Sequence, residues 1–478
     1  MKQFTHYILL ALLTLCIAAC EKDDKFTTSK DAVLSFSADT LQFDTVFTTI
    51  GSSTKRFTVY NENKENLRIA NVTFASGGQT GFRLNLDGQY GTSFSDVELS
   101  GSDSLFCFVE VTVNPQDKDN PVLINDQIMF TLESGLRQVV TLLAYGQDVI
   151  ILKDHSVSAD ATFTARRPYL IYRTLTIGPD ATLTLEPGTS LYFHADGNIL
   201  CQGRIHADGT QGAITFRGDR LDRMFAYLPY DRLDNQWLGI TLTESSHDNY
   251  FCNVDIHSGN YGIAAYGTST DETKLTLHNT VIHNIGGNGL QLTGCKAVVS
   301  NTQISNCRGN CVDILGGDNT FAFCTIAQFC PWVSERGKAL YFTNARTDVN
   351  NGNLQYVPLD ALNITNSLIT GYGSDEIIWQ PVENYTNPVF NFRFTNCLAG
   401  TAVSPGYEGN FINCVCLITD AFRTLDTENF IYDFRLTDTS PARGIGTAAD
   451  GILDHYPTDR LGVWRNPASI DVGCHQFQ

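Results

Sequence analysis

Beyond residue 31 the chain alternates apolar and polar residues in short runs, with turn signals between them and hardly a helical spacing anywhere. Up to residue 147 these runs include Leu41–Phe47, Arg56–Tyr60, Leu105–Val113, Ile128–Leu132 and Val139–Tyr145. Seven or so such strands over this length predict an immunoglobulin-like β-sandwich at 32–147. There is no Cys…Trp…Cys framework, so the sandwich is expected to be disulfide-free. From residue 148 the rhythm tightens. Tyr169–Ile177, Ala181–Leu185, Ser190–Phe193, Asn198–Ala207 and Ala213–Phe216 follow one another with Gly or Asp-Gly at the corners. Within 275–315 one unit occurs twice. Asn279 falls on Asn301, Ile282 on Ile304, Asn284 on Asn306 and Leu290 on Val312, each 22 residues later. A period of about 20–30 residues carrying three short alternating segments marks a solenoid with one coil per repeat.

The later coils share an Asn-x-x-apolar register: Asn253…Ile256, Asn279…Ile282, Asn301…Ile304, Asn366…Ile369 and Asn396…Ala399, with Cys324 taking the Asn place once. Asparagines stacked at a tight bend are expected to satisfy one another's amides from coil to coil, a structural role. The stretch LTLEPGTSLYF…GNILCQGRIHADGTQGAITF, continued by Trp237–Leu242, resembles the opening coils of right-handed parallel β-helices of the pectate-lyase-like superfamily. Ser440-Pro-Ala…Gly446…Asp459-Arg-Leu-Gly462…Asp471-Val-Gly473 resembles the closing segment of many bacterial β-helices, expected to lie against the last coil and block edge-to-edge growth. The fold class expected is therefore all-β: the sandwich, a right-handed parallel β-helix over 148–416, and a closing segment over 417–478.

The N-terminus changes the picture of where this protein sits. Lys2, the apolar run Tyr7–Ile17 and the small residues before Cys20 make a secretory signal over 1–19 that is too short to span a membrane as a mature helix. Ending on Cys20, it resembles a bacterial lipobox with Cys20 as the lipidated residue. Glu21-Lys22-Asp23-Asp24 resembles the tag that takes Bacteroidetes lipoproteins to the cell surface. Residues 20–31 would then be a tether, and the expected location is the outer membrane, lipid-anchored and facing out. With the FDTVFTTIG and KRFTVYN strands and the PYLIY opening, the whole chain resembles one family of Bacteroidetes surface lipoproteins. That resemblance implies a fold and a location, with no activity attached.

Composition narrows the partners. The formal net charge is −19 with only 17% charged residues and no basic block, which argues against nucleic acid. Twelve of the 14 cysteines lie beyond Cys20 (14 minus Cys16 and Cys20), without zinc-type spacing. Most occupy repeat positions and read as small buried apolar residues. Cys397 and Cys414 share a position on adjacent coils, close enough for a disulfide. Asp117-Lys-Asp-Asn120 lacks the acidic spacing of a calcium loop and reads as a turn. No motif indicates a cofactor, although Ca²⁺ stays open without one.

Three insertions can wall a groove: Arg220–Gln236, Thr343–Pro358 and Gln380–Pro388. The first carries Arg220, Arg223, Phe225, Tyr227, Tyr230 and Arg232, residue types suited to sugar or carboxylate contact. Strand alternation points Ala264, Gln291, Asp313 and Tyr341 outward on successive coils. A glycosidase needs two carboxylates set across the sugar, and this row offers Asp313, with Asp375 and Glu376 further along. A lyase needs a base beside groups that neutralise a uronate. Arg308, Arg336 and Lys338 are the basic candidates, with no acidic cluster beside them. Neither the paired-Asp signature of polygalacturonases nor the arginine motif of pectate lyases is present. His257 and His283 share a repeat position and should face outward together. Lacking a third ligand in the sequence reading, they are expected to be a solvated polar stack. Trp237 and Trp464 are expected to be packed, and Trp332 and Trp379 to offer a sugar-stacking platform.

Three functions fit these residues. The first is a non-catalytic carbohydrate-binding or scaffold module presented at the cell surface, with Arg223, Tyr227, Tyr230, Gln291, Tyr341, Trp332 and Trp379 as contacts. The second is a polysaccharide lyase or glycoside hydrolase built around Asp313, Arg308 and Lys338. The third is an adhesin that binds protein through an apolar face.

Overall fold

In the computed structural model, residues 25–347, 352–382, 385–417 and 422–478 are described. The leader, Cys20 and the acidic tag lie outside them, as do short stretches of the loops at 343–358 and 380–388. The chain divides into two compact units, Met1–Asp148 and Val149–Gln478.

The first unit is a sandwich of two five-stranded sheets, ten strands where the sequence suggests about seven. One sheet orders Ser35–Phe36, Lys55–Asn61, Asp103–Val111, Phe82–Leu86 and Gln89–Gly91; the other orders Thr40–Phe47, Arg137–Gln147, Val122–Leu132, Leu67–Phe74 and Ser93–Leu99. Pairing is antiparallel except between Thr40–Phe47 and Arg137–Gln147. Alternation places Phe57, Val59, Phe82, Val109, Ile128 and Phe130 between the sheets with almost no exposure, the inward row that a half-buried strand requires. The expected tether is shortened by one correction. Phe26 bridges Asn66, the Thr27 N–H donates to the Asn66 carbonyl at 3.0 Å, and Arg68 lies 4.4 Å from the Phe26 ring, so the chain is docked from residue 25.

The second unit is a parallel β-helix with three strands per coil. A first face is a ten-stranded parallel sheet running from Ala161–Phe163 to Phe411–Ile412, while the strands of the second and third faces join in one 18-stranded parallel sheet. Early coils show plain alternation: Thr182–Leu185, Ser190–Phe193 and Asn198–Cys201 each bury every second residue. Inside, Phe193 stacks on Trp237 at 4.1 Å, and a second aromatic cluster forms around Phe342, Phe392 and Phe394.

The bend between first and second faces recurs in a left-handed conformation at Asn253, Asn279, Asn301, Phe323, Asn366, Asn396 and Asn413, with φ between 47° and 54°. Asn tolerates this region better than other residues with a Cβ. Two expectations are corrected here. The odd member of the column is Phe323, not Cys324, which sits one place later beside Thr302 and Ser367. The column is also held by backbone rather than by stacked amides. From Asn253 to Asn396 each bend N–H donates to the next coil, as Asn279 to Ser300 (3.1 Å), Asn301 to Ala322 (3.0 Å) and Phe323 to Thr365 (3.0 Å).

The side-chain amides are left to hold the closing segment. Asn301 Nδ2 donates to the Thr458 carbonyl at 2.9 Å, Asn366 exchanges two bonds of 2.8 Å with Thr447, and Asn396 Nδ2 donates to the Ile445 carbonyl at 2.8 Å. Arg465, nearly buried, donates to Asn301 Oδ1 at 2.8 Å and lies 3.6 Å from the Phe323 ring. Gly473 sits at φ 96°, where a Cβ would come within 2.7 Å of Thr325 Oγ1. The closing segment therefore runs along the flank of the β-helix, over the bend column, instead of lying across the last coil. Its hydrophobic residues Phe422, Phe434, Leu436 and Val472 pack on Phe329, Leu368 and Leu398. Trp464, expected to be packed, is 75% exposed, because Arg465 takes the inward position beside it.

Cys397 and Cys414 do stack on neighbouring coils, with the Val415 N–H donating to the Cys397 carbonyl at 2.9 Å. Both are free thiols, like the other ten cysteines among the described residues. Beside their contact with each other, the sulfurs lie against backbone carbonyls, Cys397 against Ile364 and Cys414 against Ile412, both at 3.4 Å.

Candidate functional site

The third face carries the outward row anticipated from alternation. Strand pairing places Thr241, Ala264, Gln291, Asp313, Tyr341 and Ile378 side by side on six successive coils. The insertion at 343–358 folds partly as a hairpin, Ala345–Thr347 against Leu354–Tyr356. It brings Arg346 onto the row, where Nη2 donates to Asp313 Oδ1 at 2.6 Å and the guanidinium lies 5.8 Å from the Tyr341 ring. Asn310 Nδ2 donates to the other Asp313 oxygen at 2.8 Å, and Asp313 is only 4% exposed. Tyr341 donates to Gln380 Oε1 at 2.7 Å, and Gln291 Nε2 lies 3.4 Å from the Tyr266 hydroxyl. Beside the row is a cleft of about 800 Å³ whose lining includes Glu244, Tyr266, Gln291, Arg346, Tyr356 and Asp360. Tyr356 is stiffened by stacking on Tyr385 at 3.9 Å. Rigid tyrosines with a guanidinium and two carboxylates make a surface that can hydrogen-bond hydroxyls and stack on a ring face.

The basic candidates do not converge on Asp313. Arg308 is paired with Asp234 of the first insertion, Nη2 to Oδ1 at 2.9 Å and Nε to Oδ2. Lys338 Nζ donates to the Asp375 carbonyl at 2.6 Å. Asp375 itself accepts from Thr401 Oγ1 and the Ala402 N–H at 3.0 and 3.1 Å. Glu376 is buried at a coil corner, accepts from the Gly373 and Ala339 N–H groups, and has Arg336 at 3.8 Å. Burial raises its pKa, an effect its hydrogen bonds and Arg336 only partly offset. These groups fix corners and loops.

The tryptophans expected to form a platform are also occupied. Trp379 points inward, in register with Phe342, and packs among Phe392, Tyr407 and Phe411 at 5.5–5.9 Å. Strand alternation from Ile377 would have shown this. Trp332 has Phe430 stacked on it at 4.1 Å. In the first insertion, Tyr230 lies under Arg220 at 3.9 Å, Arg223 donates to the Ala226 carbonyl at 3.2 Å, and Tyr227 is 54% exposed beside Phe225.

That insertion covers the second face. There Val254–His257 and Val281–Ile285 pair so that His257 lies beside His283, with the rings stacked at 4.8 Å. The two do face outward together, but they are not a solvated stack, because His257 is 6% exposed under the loop. Asp255 Oδ1 lies 2.8 Å from His257 Nδ1 and 3.2 Å from His283 Nε2. Asp231 of the insertion, ion-paired with Arg217, places Oδ1 3.2 Å from His257 Nε2. Burial alone would lower the His257 pKa. The Asp255 and Asp231 carboxylates outweigh it and raise the pKa to about 9. Asp255 is held well below the ordinary carboxylate range, the two imidazoles overcoming the opposing effect of burial. The sequence reading missed the third member, although Asp255-x-His257 is the same-side spacing of a strand.

No family model and no curated protein matches the chain. Solved structures similar to parts of it include a family 123 glycoside hydrolase from Clostridium perfringens, at 8% identity and TM-score 0.18, covering 26% of this chain and 30% of that one. A protein of unknown function from Porphyromonas gingivalis W83 aligns at 14% identity and TM-score 0.19, covering 26% and 59%. The ASH/PapD-like domain of human CEP192 aligns at 8% identity and TM-score 0.17, covering 27% and 92%. The first of these alignments spans under a third of the hydrolase. Likenesses this slight carry no argument about fold or chemistry.

Proposed function

We propose that this protein is a lipid-anchored outer-membrane surface protein whose β-helix binds carbohydrate without turning it over. The observation that carries the reading is the third-face row. It borders a cleft of about 800 Å³ with tyrosine, guanidinium and carboxylate walls, while its own carboxylate, Asp313, is buried and neutralised by Arg346. A hydrolase built around Asp313 would need that carboxylate free to act, and a lyase built around Arg308 or Lys338 a free base. Arg308 and Lys338 are committed to Asp234 and the Asp375 carbonyl. The leader ending at Cys20 supports the surface location, with Cys20 as the acylated residue. The reading is tested on a glycan array spanning uronic-acid and neutral polysaccharides, with the bound glycans then assayed for cleavage. Retention without unsaturated or new reducing ends is the expected result. The exposed hairpin tip of Met224, Phe225 and Tyr227 favours a second reading, an adhesin for protein. Under that reading, protein ligands would be retained and the array would stay blank.

A further inference from the structure

We propose that Asp255, His257 and His283 form a mononuclear site for a divalent first-row transition ion such as zinc, with an open coordination position facing a cleft on the second face. The site is separate from the carbohydrate cleft on the third face and does not depend on that reading. Asp255 and His257 are two apart on one strand and project from the same side, and His283 is the in-register neighbour of His257 on the next coil. Their donor atoms all lie within 4.8 Å of one another. The Asp255 oxygen is already 2.8 Å and 3.2 Å from one nitrogen of each imidazole. Tetrahedral zinc, with bonds of roughly 2.0–2.2 Å, sets its ligand atoms about 3.3 Å apart, so small side-chain rotations would open the cluster around an ion. Two imidazoles and one carboxylate suit zinc, nickel, copper or iron(II), and suit calcium or magnesium poorly.

The surroundings are those of a metal ligand set. With His257 bound through Nδ1, its Nε2–H points at Asp231 Oδ1, 3.2 Å away. That is the carboxylate–histidine pairing that fixes tautomer and ring orientation in metal sites. Asp231 is itself held by Arg217 and by Ser258 Oγ, which donates to its carbonyl at 3.2 Å. The insertion at 220–236 thus positions a ligand on the strand beneath it. Three protein ligands leave a fourth position free. The adjoining cleft of about 390 Å³ includes Arg232, Gln303, Ser305, Phe430 and Tyr432 in its lining, both polar groups and aromatic rings.

The test uses the full chain, stripped with chelator and titrated with zinc chloride. One zinc per chain with a micromolar or tighter dissociation constant is expected. His283→Gln and Asp255→Asn should each weaken binding at least 100-fold. Asp231→Asn, which touches only the positioning carboxylate, should weaken it about tenfold. Calcium chloride in excess should not compete. Cobalt(II) provides a readout that needs no variant: its complex with the wild-type chain should show hyperfine-shifted NMR resonances from two imidazoles. The proposal is overturned by any one of four results: no zinc retained by the folded wild type, wild-type affinity in both ligand variants, displacement by calcium, or fewer than two shifted imidazoles.

Discussion

Two lines of residues run along this β-helix, one on the bend between first and second faces and one on the third face. Both repeat once per coil and both present polar side chains outward, yet they end in opposite conditions. The bend line is spoken for: Asn301, Asn366 and Asn396 hydrogen-bond the closing segment, and Phe323 packs under Arg465. The third-face row is bordered by a cleft walled by Arg346 and Tyr356. A repeated polar residue on a solenoid is therefore no guide to function by itself. What decides is whether another part of the same chain returns to cover it.

The contrast can be broken most severely at Arg465. Its guanidinium is buried and donates to Asn301 Oδ1 and to the carbonyls of Asp471 and Gly473. Arg465→Ala is expected to cost about 3 kcal/mol or more, since a charge-assisted bond is worth about 1.5–3 kcal/mol, and to release the closing segment first. Urea unfolding and hydrogen exchange over 445–475 would register both. Arg465→Lys should recover little, because one ammonium cannot reproduce the planar fork.

A subtler comparison lies within the bend line. Asn366 combines a left-handed φ of 50° with two hydrogen bonds to Thr447, whereas Asn279, at 51°, has no partner for its Oδ1. Ala lacks the polar side chain that lets Asn tolerate the left-handed region, so replacement at either site should cost up to roughly 1–2 kcal/mol. Asn366→Ala should cost about 2 kcal/mol more, at about 1 kcal/mol per lost bond. Asn→Gly at each position should remove the conformational part and leave the difference intact. Equal losses at the two sites would mean that the amides contribute nothing to docking.

His475, in the closing segment, gives the same line a pH signature. Burial, reinforced by Arg460, lowers its pKa from 6.5 to about 3. A base with a depressed folded pKa stays neutral in the folded state while the unfolded chain takes up a proton. Its stability contribution is thus complete above pH 6.5 and is lost as pH falls from 6.5 towards 3. Between pH 6.5 and about 5.5 the loss should be about 1 kcal/mol, since one unit of pKa is about 1.4 kcal/mol. Urea midpoints of wild type and His475→Gln should converge over that interval as the wild type weakens. A constant gap would remove His475 from the account.

Most of the fold could be read from local pattern, for a physical reason. Alternation within a strand and a 22-residue repeat are short-range facts, so the row Ala264–Gln291–Asp313–Tyr341 was predicted in the register the strands adopt. What escaped was set by contacts distant in sequence. Phe323 occupies an asparagine position, and Arg465 lies over its ring. The flank route of the closing segment and the exposure of Trp464 follow from the same docking. Trp332 is covered by Phe430 from the segment before that docking begins. Asp231 reaches His257 only because an insertion folds back over the second face, and no periodicity announces that. Asp255 and Trp379 are different, since strand alternation alone shows Asp255 outward with His257 and Trp379 inward with Ile377.

On the third face the smallest effect on stability should accompany the largest effect on binding. Arg346 is about one-third exposed, and its pair with Asp313 restrains a loop outside the core. The most direct measurement is calorimetric titration of wild type and Arg346→Ala with an oligosaccharide retained on the array, with the same samples assayed for new reducing or unsaturated ends after prolonged incubation. Saturable binding by the wild type, at least tenfold weaker binding by the variant and no product from either is the outcome predicted. Product accumulation with the wild type, or equal affinity in the two proteins, would contradict it.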